Sequence, residues 1–293
     1  MNVMIVAADH EPGFPPHTRQ LPKPLFPILD QTLLEIALAT ARKAAPGVVV
    51  VYARKGGDII TRFLASRGVE ERVEVAGNMA EAARWLGGGD FAAINTDAIT
   101  EVDWAALETA HHGRDARSTY MLRYNADPRR YVALCMDGEC RITRVGDTPG
   151  AGYDEEQELL MLASVAIHSS EVLEAPEEEW LAPRLTDDAP LFGWRSELDW
   201  AGAASANDYL GAVMGRLADH PMEEGLSARL KHVFIRPPVY VSRTAIVRAG
   251  AIIGPYAAIS DGASLGACAW VTNSVIMPRS TIRSGSAVNG EIL

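Results

Sequence analysis

A chain of 293 residues with 22% charged side chains and a net charge of -11 is long enough for one large domain and a smaller one, and its acidity argues against electrostatic binding to nucleic acid or to an anionic membrane. It shows no basic-then-apolar leader and no apolar run of about 20 residues, the length that spans a bilayer, which makes the cytoplasm its expected address. Three cysteines make neither a disulfide framework nor a zinc site.

The first apolar run, Val3 to Ala8, reads as a buried strand. It opens into a loop from Asp9 to Thr18, followed by Pro22-Lys23-Pro24-Leu25. A strand emptying into a loop, with a lysine held beyond it between prolines, is the layout of a phosphate cradle at the carboxyl edge of a parallel sheet. A cradle wants glycines and positive charge, whereas this loop carries Asp9 and Glu11. Lys23 alone reads equally as a solvated side chain.

Asp30 is placed to cap a helix whose apolar face is Leu34, Ala37, Leu38 and Ala41, and the strand Val48 to Tyr52 follows. A helix from Ile59 to Ala65, a strand at Val73 to Val75, a helix from Ala80 to Leu86 and a strand from Phe91 to Ile94 complete the pattern. Strands separated by single helices predict parallel βαβ units and a doubly wound sheet with its ligand site at the strands' carboxyl ends. Asp97 lies at such an end, where a carboxylate suits a magnesium ion bridging nucleotide phosphates; the competing reading is a turn aspartate.

Residues 118 to 168 read as hairpins. With Asp137-Gly138 as a two-residue turn, Cys135 and Cys140 are expected to face each other across two strands as reduced thiols without a function. The run Asp154 to Glu158 reads as a solvated acidic loop, and Ser205 caps a last helix carrying Tyr209, Leu210, Val213 and Leu217.

The tail has a different period. Val241, Val247, Ile253, Ile259, Leu265 and Val271 recur every six residues, and Ala245, Ala251, Ala257, Ala263 and Ala269 sit four after the first five of them. This is the hexapeptide repeat of a left-handed parallel β-helix, with small residues at the tight corners. The phase slips by one after Val271 and resumes at Ile276, Ile282 and Val288, which gives about three coils. The expected division is an α/β domain over 1–218, a linker over 219–238 and the β-helix over 239–293. Hexapeptide acyltransferases use a histidine between coils, and the tail has none after His232, which argues against that activity.

The first loop resembles the signature of the sugar-phosphate nucleotidyltransferases (NDP-sugar pyrophosphorylases, including mannose-1-phosphate guanylyltransferases): Ala-Ala-Gly-x-Gly-Thr-Arg, four residues, Thr, three residues, Pro-Lys-Pro. Ala7, Ala8, Thr18, Pro22, Lys23 and Pro24 fall in register without a gap. Asp9 and Glu11 stand in place of the two glycines, Pro12 in place of threonine and Gly13 in place of the catalytic arginine. The resemblance implies an α/β, Rossmann-like nucleotidyltransferase domain with a mixed sheet ahead of the β-helix. It assigns Ala7, Ala8 and Gly77 to the nucleotide, Lys23 to a residual phosphate contact and Asp97 to the metal. It also marks three further degenerate positions. Gly202, two residues after Trp200, replaces the second metal aspartate; Thr148, in Asp147-Thr148-Pro149, replaces the lysine that meets the sugar phosphate; Ser164 replaces a glycine of the sugar pocket. Two functions follow from the resemblance. One is a catalytically impaired or inactive binding or regulatory subunit of sugar-nucleotide metabolism. The other is an active enzyme making NDP-sugar and pyrophosphate from NTP and a sugar 1-phosphate through a rearranged loop. Mg2+ is expected only with a bound nucleotide, and the expected partners are a nucleotide or NDP-sugar and either a second copy or an active paralogue. The chain stops directly after its last hexad, so a homo-oligomer is expected, with Trp270 and the coil faces near Tyr256 as contacts.

Overall fold

The computed structural model describes residues 1–7, 14, 21–69, 72–114, 116–150, 152, 154–175, 180, 183–185, 190–220 and 222–293. The chain forms two compact units, the first from residues 1–8 and 37–200, the second from residues 9–36 and 201–293. In chain order the elements are β1 (Asn2–Val6), β2 (Pro27–Ile28), β3 (Gln31–Thr32), α1 (Leu33–Arg42), β4 (Val49–Tyr52), α2 (Gly57–Ser66), β5 (Val73–Ala76), α3 (Met79–Leu86), β6 (Phe91–Asn95), β7 (Ala98–Thr100) and α4 (Trp104–His112). After them come β8 (Ser118–Tyr124), β9 (Leu134–Met136), β10 (Ile142–Val145), β11 (Thr148–Pro149), β12 (Leu160–His168), β13 (Phe192–Arg195), β14 (Trp200–Gly202) and α5 (Ala206–Asp219). No helix among the described residues is long and apolar enough to cross a membrane.

The first unit is built on one mixed sheet. Strands β6, β1, β4 and β5 lie side by side and parallel, with Ile5 between Val51 and Ile94. Because helices cover both faces of a parallel sheet, its strands read as unbroken apolar runs: Val3, Met4, Ile5 and Val49 to Tyr52 are all buried. Beyond β6 the sheet turns antiparallel through β12, which pairs with β8 and β9, and β9, β10 and β11 carry it to its edge. The hairpins expected between 118 and 168 are these strands.

One hairpin differs in detail. Cys135 lies opposite Arg144, not Cys140. The Asp137 carboxylate accepts from the amides of Glu139 and Arg141, and Cys140 closes a three-residue loop in the left-handed region (φ 64°). A type I turn followed by one left-handed residue is the common three-residue hairpin. The two thiols therefore do not face each other.

The second unit holds the β-helix. After α6 (Leu226–Arg229), strands β15 (Phe234–Ile235), β16 (Val239–Val241), β17 (Ile246–Val247), β18 (Ile252–Ile253), β19 (Ala257–Ile259), β20 (Ser264–Leu265), β21 (Trp270–Thr272), β22 (Ser274–Ile276), β23 (Thr281–Ile282) and β24 (Ala287–Asn289) wind around a triangular core. Its three parallel faces are β15-β18-β21-β24, β16-β19-β22 and β17-β20-β23. The hexad residues Val241, Ile253, Ile259, Leu265, Val271, Ile276, Ile282 and Val288 form the buried interior. The phase slip is a shortened coil: Ile253 pairs with Val271, eighteen residues on, but Val271 pairs with Val288, seventeen on. Asn273, at φ 48°, makes the tighter corner. Gly266 is required by close approach, since a Cβ there would lie 2.3 Å from the Ser284 amide nitrogen.

Candidate functional site

The chain winds from β1 to β4 and β5 on one side and returns to β6 on the other, so the strand order reverses between β1 and β6. Open α/β sheets bind ligands outside the carboxyl ends of the strands at such a point. Ala7 follows β1 directly, and its amide donates to the Tyr52 carbonyl at 2.9 Å. Thr96 follows β6 and is fully buried; its amide and hydroxyl both donate to the Val6 carbonyl, at 3.1 and 3.2 Å. These bonds seal the two strand ends together. Asp97 sits in the two-residue turn between β6 and β7, its amide donating to Asn95 Oδ1 at 3.1 Å. Gly77 leaves β5 on the same edge. Its amide donates to Glu81 Oε2 at 2.9 Å while Asn78 caps α3 by accepting from the Glu81 amide, so this backbone is held by a helix cap. Ala7, Gly77 and Asp97 thus share one edge of one sheet.

Ala8, Asp9, Glu11, Pro12 and Gly13 lie outside the described residues. The signature continues in the second unit with Lys23, which is fully buried rather than solvated. Its Nζ donates to the Ala204 carbonyl at 3.0 Å and lies 5.7 Å from the centre of the Phe14 ring. Phe14 and Phe26 both pack on Tyr209, with Phe26 edge-on at 5.4 Å. The Tyr209 hydroxyl donates to the Pro27 carbonyl at 2.6 Å. Burial pushes this phenol well above its ordinary pKa, so the hydroxyl stays a proton donor. Gly202 is buried two residues before Ala204. The structure therefore brings Lys23 against the segment that carries Gly202, and a backbone carbonyl receives the ammonium there.

The sugar-side positions are spread out. Thr148 is exposed on β11, the edge strand, with β10, β9 and β12 between it and β6. Ser164 sits in the irregular stretch of β12 at φ 65°, a conformation that favours glycine. Asp199 is exposed, and its carbonyl accepts from the Glu101 amide at 3.0 Å. One arrangement has no signal in the sequence: Tyr131 stacks edge-on against Trp200 at 5.6 Å, and the Arg123 guanidinium lies over the same indole at 5.1 Å. The Trp200 indole N–H is buried with no hydrogen-bond partner among the described residues. The residues involved are too far apart in the chain for any spacing rule to join them.

Among the described residues no group of three His, Cys, Asp or Glu side chains could hold a metal ion. Asp97 supplies one carboxylate at this edge of the sheet. This donor set does not fit a magnesium ion held by the protein, and one carboxylate suffices only when substrate phosphates and water complete the shell.

Residues 235–293 match the family model for the GMPPB C-terminal domain. The whole chain is 22% identical to a probable mannose-1-phosphate guanylyltransferase 1 of Oryza sativa subsp. japonica, covering 86% of that protein. It is 20% identical to a UTP–glucose-1-phosphate uridylyltransferase of Synechocystis sp., covering 82% of it. Among solved structures, HddC from Yersinia pseudotuberculosis superposes with a TM-score of 0.58 at 16% identity, covering 73% of this chain and 98% of that one. HddC complexed with GMP-PN gives the same TM-score at 15% identity. At such identities the structural likeness speaks for the fold.

Proposed function

We propose, for a chain that belongs to the sugar-phosphate nucleotidyltransferases, the role of a nucleotide- or NDP-sugar-binding subunit in cytoplasmic sugar-nucleotide metabolism that regulates without turning its ligand over. The observation that carries this reading is the state of Lys23, the lysine of the signature: it is buried and hydrogen-bonded to a backbone carbonyl. Four substituted positions support it. Asp9 and Glu11 put negative charge where glycine amides would meet phosphate, and a like-charge encounter at about 4 Å costs on the order of 4 kcal/mol at an effective dielectric near 20. Gly13 removes the cation that would stabilise charge developing in the transition state. Gly202 removes a metal carboxylate. The nucleotide would sit at the carboxyl edge formed by Ala7, Gly77 and Asp97, bringing its own magnesium.

The purified protein should release no pyrophosphate above background from NTPs with hexose 1-phosphates and magnesium. Turnover at roughly 1 to 1,000 per second with any such pair would overturn the proposal and establish the second reading, an active sugar-1-phosphate nucleotidylyltransferase, which the retained edge of Ala7, Gly77 and Asp97 favours. Calorimetry offers a separate check. Combining Asp9→Gly, Glu11→Gly, Pro12→Thr and Gly13→Arg removes two negative charges and adds a cation, so nucleotide affinity should rise by at least about tenfold, or roughly 1.4 kcal/mol. A four-fold variant that binds no better than wild type would show that the pocket itself is gone.

A further inference from the structure

Charge is unevenly divided along the chain. Residues 234–293 carry five arginines against Asp261 and Glu291, a net +3 within a chain of net -11. Both acids are engaged elsewhere: Asp261 accepts from the hydroxyls of Ser242 and Thr244, and Glu291 lies beside Ser274 of β22, on another face. Two of the arginines share the β17-β20-β23 face. There Ile246, Ser264 and Thr281 are aligned as outward residues, and two positions further along the three strands come Arg248, Gly266 and Arg283. These are aligned in turn, because the Arg248 amide donates to the Leu265 carbonyl and the Gly266 amide to the Ile282 carbonyl. The alternate residues Leu265 and Ile282 are buried in the coil interior, so both arginines face outward, and both are exposed. Among the described residues neither guanidinium has a hydrogen-bond or salt-bridge partner.

The rung between the two arginines is bare. Gly266 admits no larger residue, since a Cβ there would strike the Ser284 amide, so only backbone separates the side chains of Arg248 and Arg283. At about 4.8 Å per rung their Cα atoms lie roughly 10 Å apart, and an anion resting on the glycine is within reach of both. We infer that Arg248, Gly266 and Arg283 form a binding site for a phosphate group, one that uses none of the residues of the candidate nucleotide edge and stands whether or not that edge binds a nucleotide. Phosphate fits better than carboxylate. A guanidinium is a planar fork that takes two oxygens at once, and a phosphate offers oxygens to two such forks, whereas a carboxylate has only two oxygens and one charge to divide between them. Two positive charges balance one phosphate dianion. The hydroxyls of Ser264 and Thr281, in the neighbouring outward column, add donors of the kind that phosphate oxygens accept.

An NMR titration of the full chain with inorganic phosphate, followed at the Gly266 and Ser284 amides, tests the site. It is run at about 0.15 M ionic strength, where the Debye length of about 8 Å leaves only contact-range attraction. Wild type should show saturable shifts at both amides with a Kd of about 1 mM or below. Arg248→Gln and Arg283→Gln, each at an exposed position that leaves the coil interior untouched, should each weaken binding at least tenfold. Arg236→Gln, exposed just after β15 on another face, should change nothing. Glycerol 3-phosphate in place of inorganic phosphate separates the two sources of the group: tighter binding points to a phosphorylated metabolite and equal binding to the free ion, and either supports the site. Shifts that fail to saturate by about 10 mM phosphate, tenfold above the expected Kd, would overturn the inference. So would binding that either arginine variant leaves intact. Equal weakening by Arg236→Gln would replace the site with a diffuse attraction to the basic tail.

Discussion

Tyr209→Ala should destabilise the second unit by about 3 to 5 kcal/mol, the cost of emptying a large aromatic site that cannot collapse. Tyr209 is fully buried on α5, with Phe14 and Phe26 against its ring and its hydroxyl on the Pro27 carbonyl. The same hydroxyl lies 3.8 Å from Met277 Sδ, so one side chain fastens the segment after Lys23 to α5 and to the third coil. Loss of the ring removes packing for all three, and loss of the hydroxyl strands a buried carbonyl. Tyr209→Phe isolates the second effect and should cost only about 1 to 2 kcal/mol. Urea denaturation with hydrogen exchange on residues 21–32 would resolve the two. If the alanine variant unfolds within 1 kcal/mol of wild type, with unchanged exchange in that segment, the anchor is elsewhere.

How much of this was legible in the sequence depends on how local each cause is. The β-helix could be read almost residue by residue, because a six-residue period, small corner residues and one phase slip are local facts, and the slip became a seventeen-residue coil turned at Asn273. The parallel strands were legible for the same reason: a strand buried on both faces is an unbroken apolar run. The hairpin at Asp137 was misread because a two-residue turn and a three-residue loop share the same Asp-Gly letters. What separates them is a side-chain carboxylate bonding two amides. Ser164 shows the converse case, in which a backbone shape outlasts the glycine that would suit it: the chain still turns through φ 65° there. Lys23 was beyond reading. A lysine between prolines looks solvated or phosphate-bound, and its backbone partner Ala204 is 181 residues away.

Acidification should destabilise the first unit, and His168 should carry much of the effect. This histidine ends β12 and is 1% exposed, with Phe91, Tyr120 and Trp180 rings 5.1 to 5.6 Å from its own. Its Nδ1 shares a hydrogen bond with Ser118 Oγ at 2.9 Å. Burial in this aromatic cage, with a smaller contribution from His111, lowers its pKa from 6.5 to about 3. His111, buried on α4 with Nδ1 on Thr119 Oγ1, is lowered too, chiefly by burial and against the attraction of Asp90. The unfolded chain therefore binds protons that the folded chain refuses. Stability is full above about pH 6.5 and falls as the pH drops from there toward 3, at up to about 1.4 kcal/mol per pH unit for each such histidine. Between pH 7 and 5, His168 alone should account for about 2 kcal/mol. Asparagine at 168 keeps a polar group near Ser118 but cannot charge. His168→Asn should thus be less stable than wild type at pH 7, yet lose about 2 kcal/mol less on going to pH 5. Denaturant melts of both proteins at pH 7, 6 and 5 make the comparison. Parallel losses in the two proteins would mean that His168 is protonated in the folded state or that another group sets the acid limit.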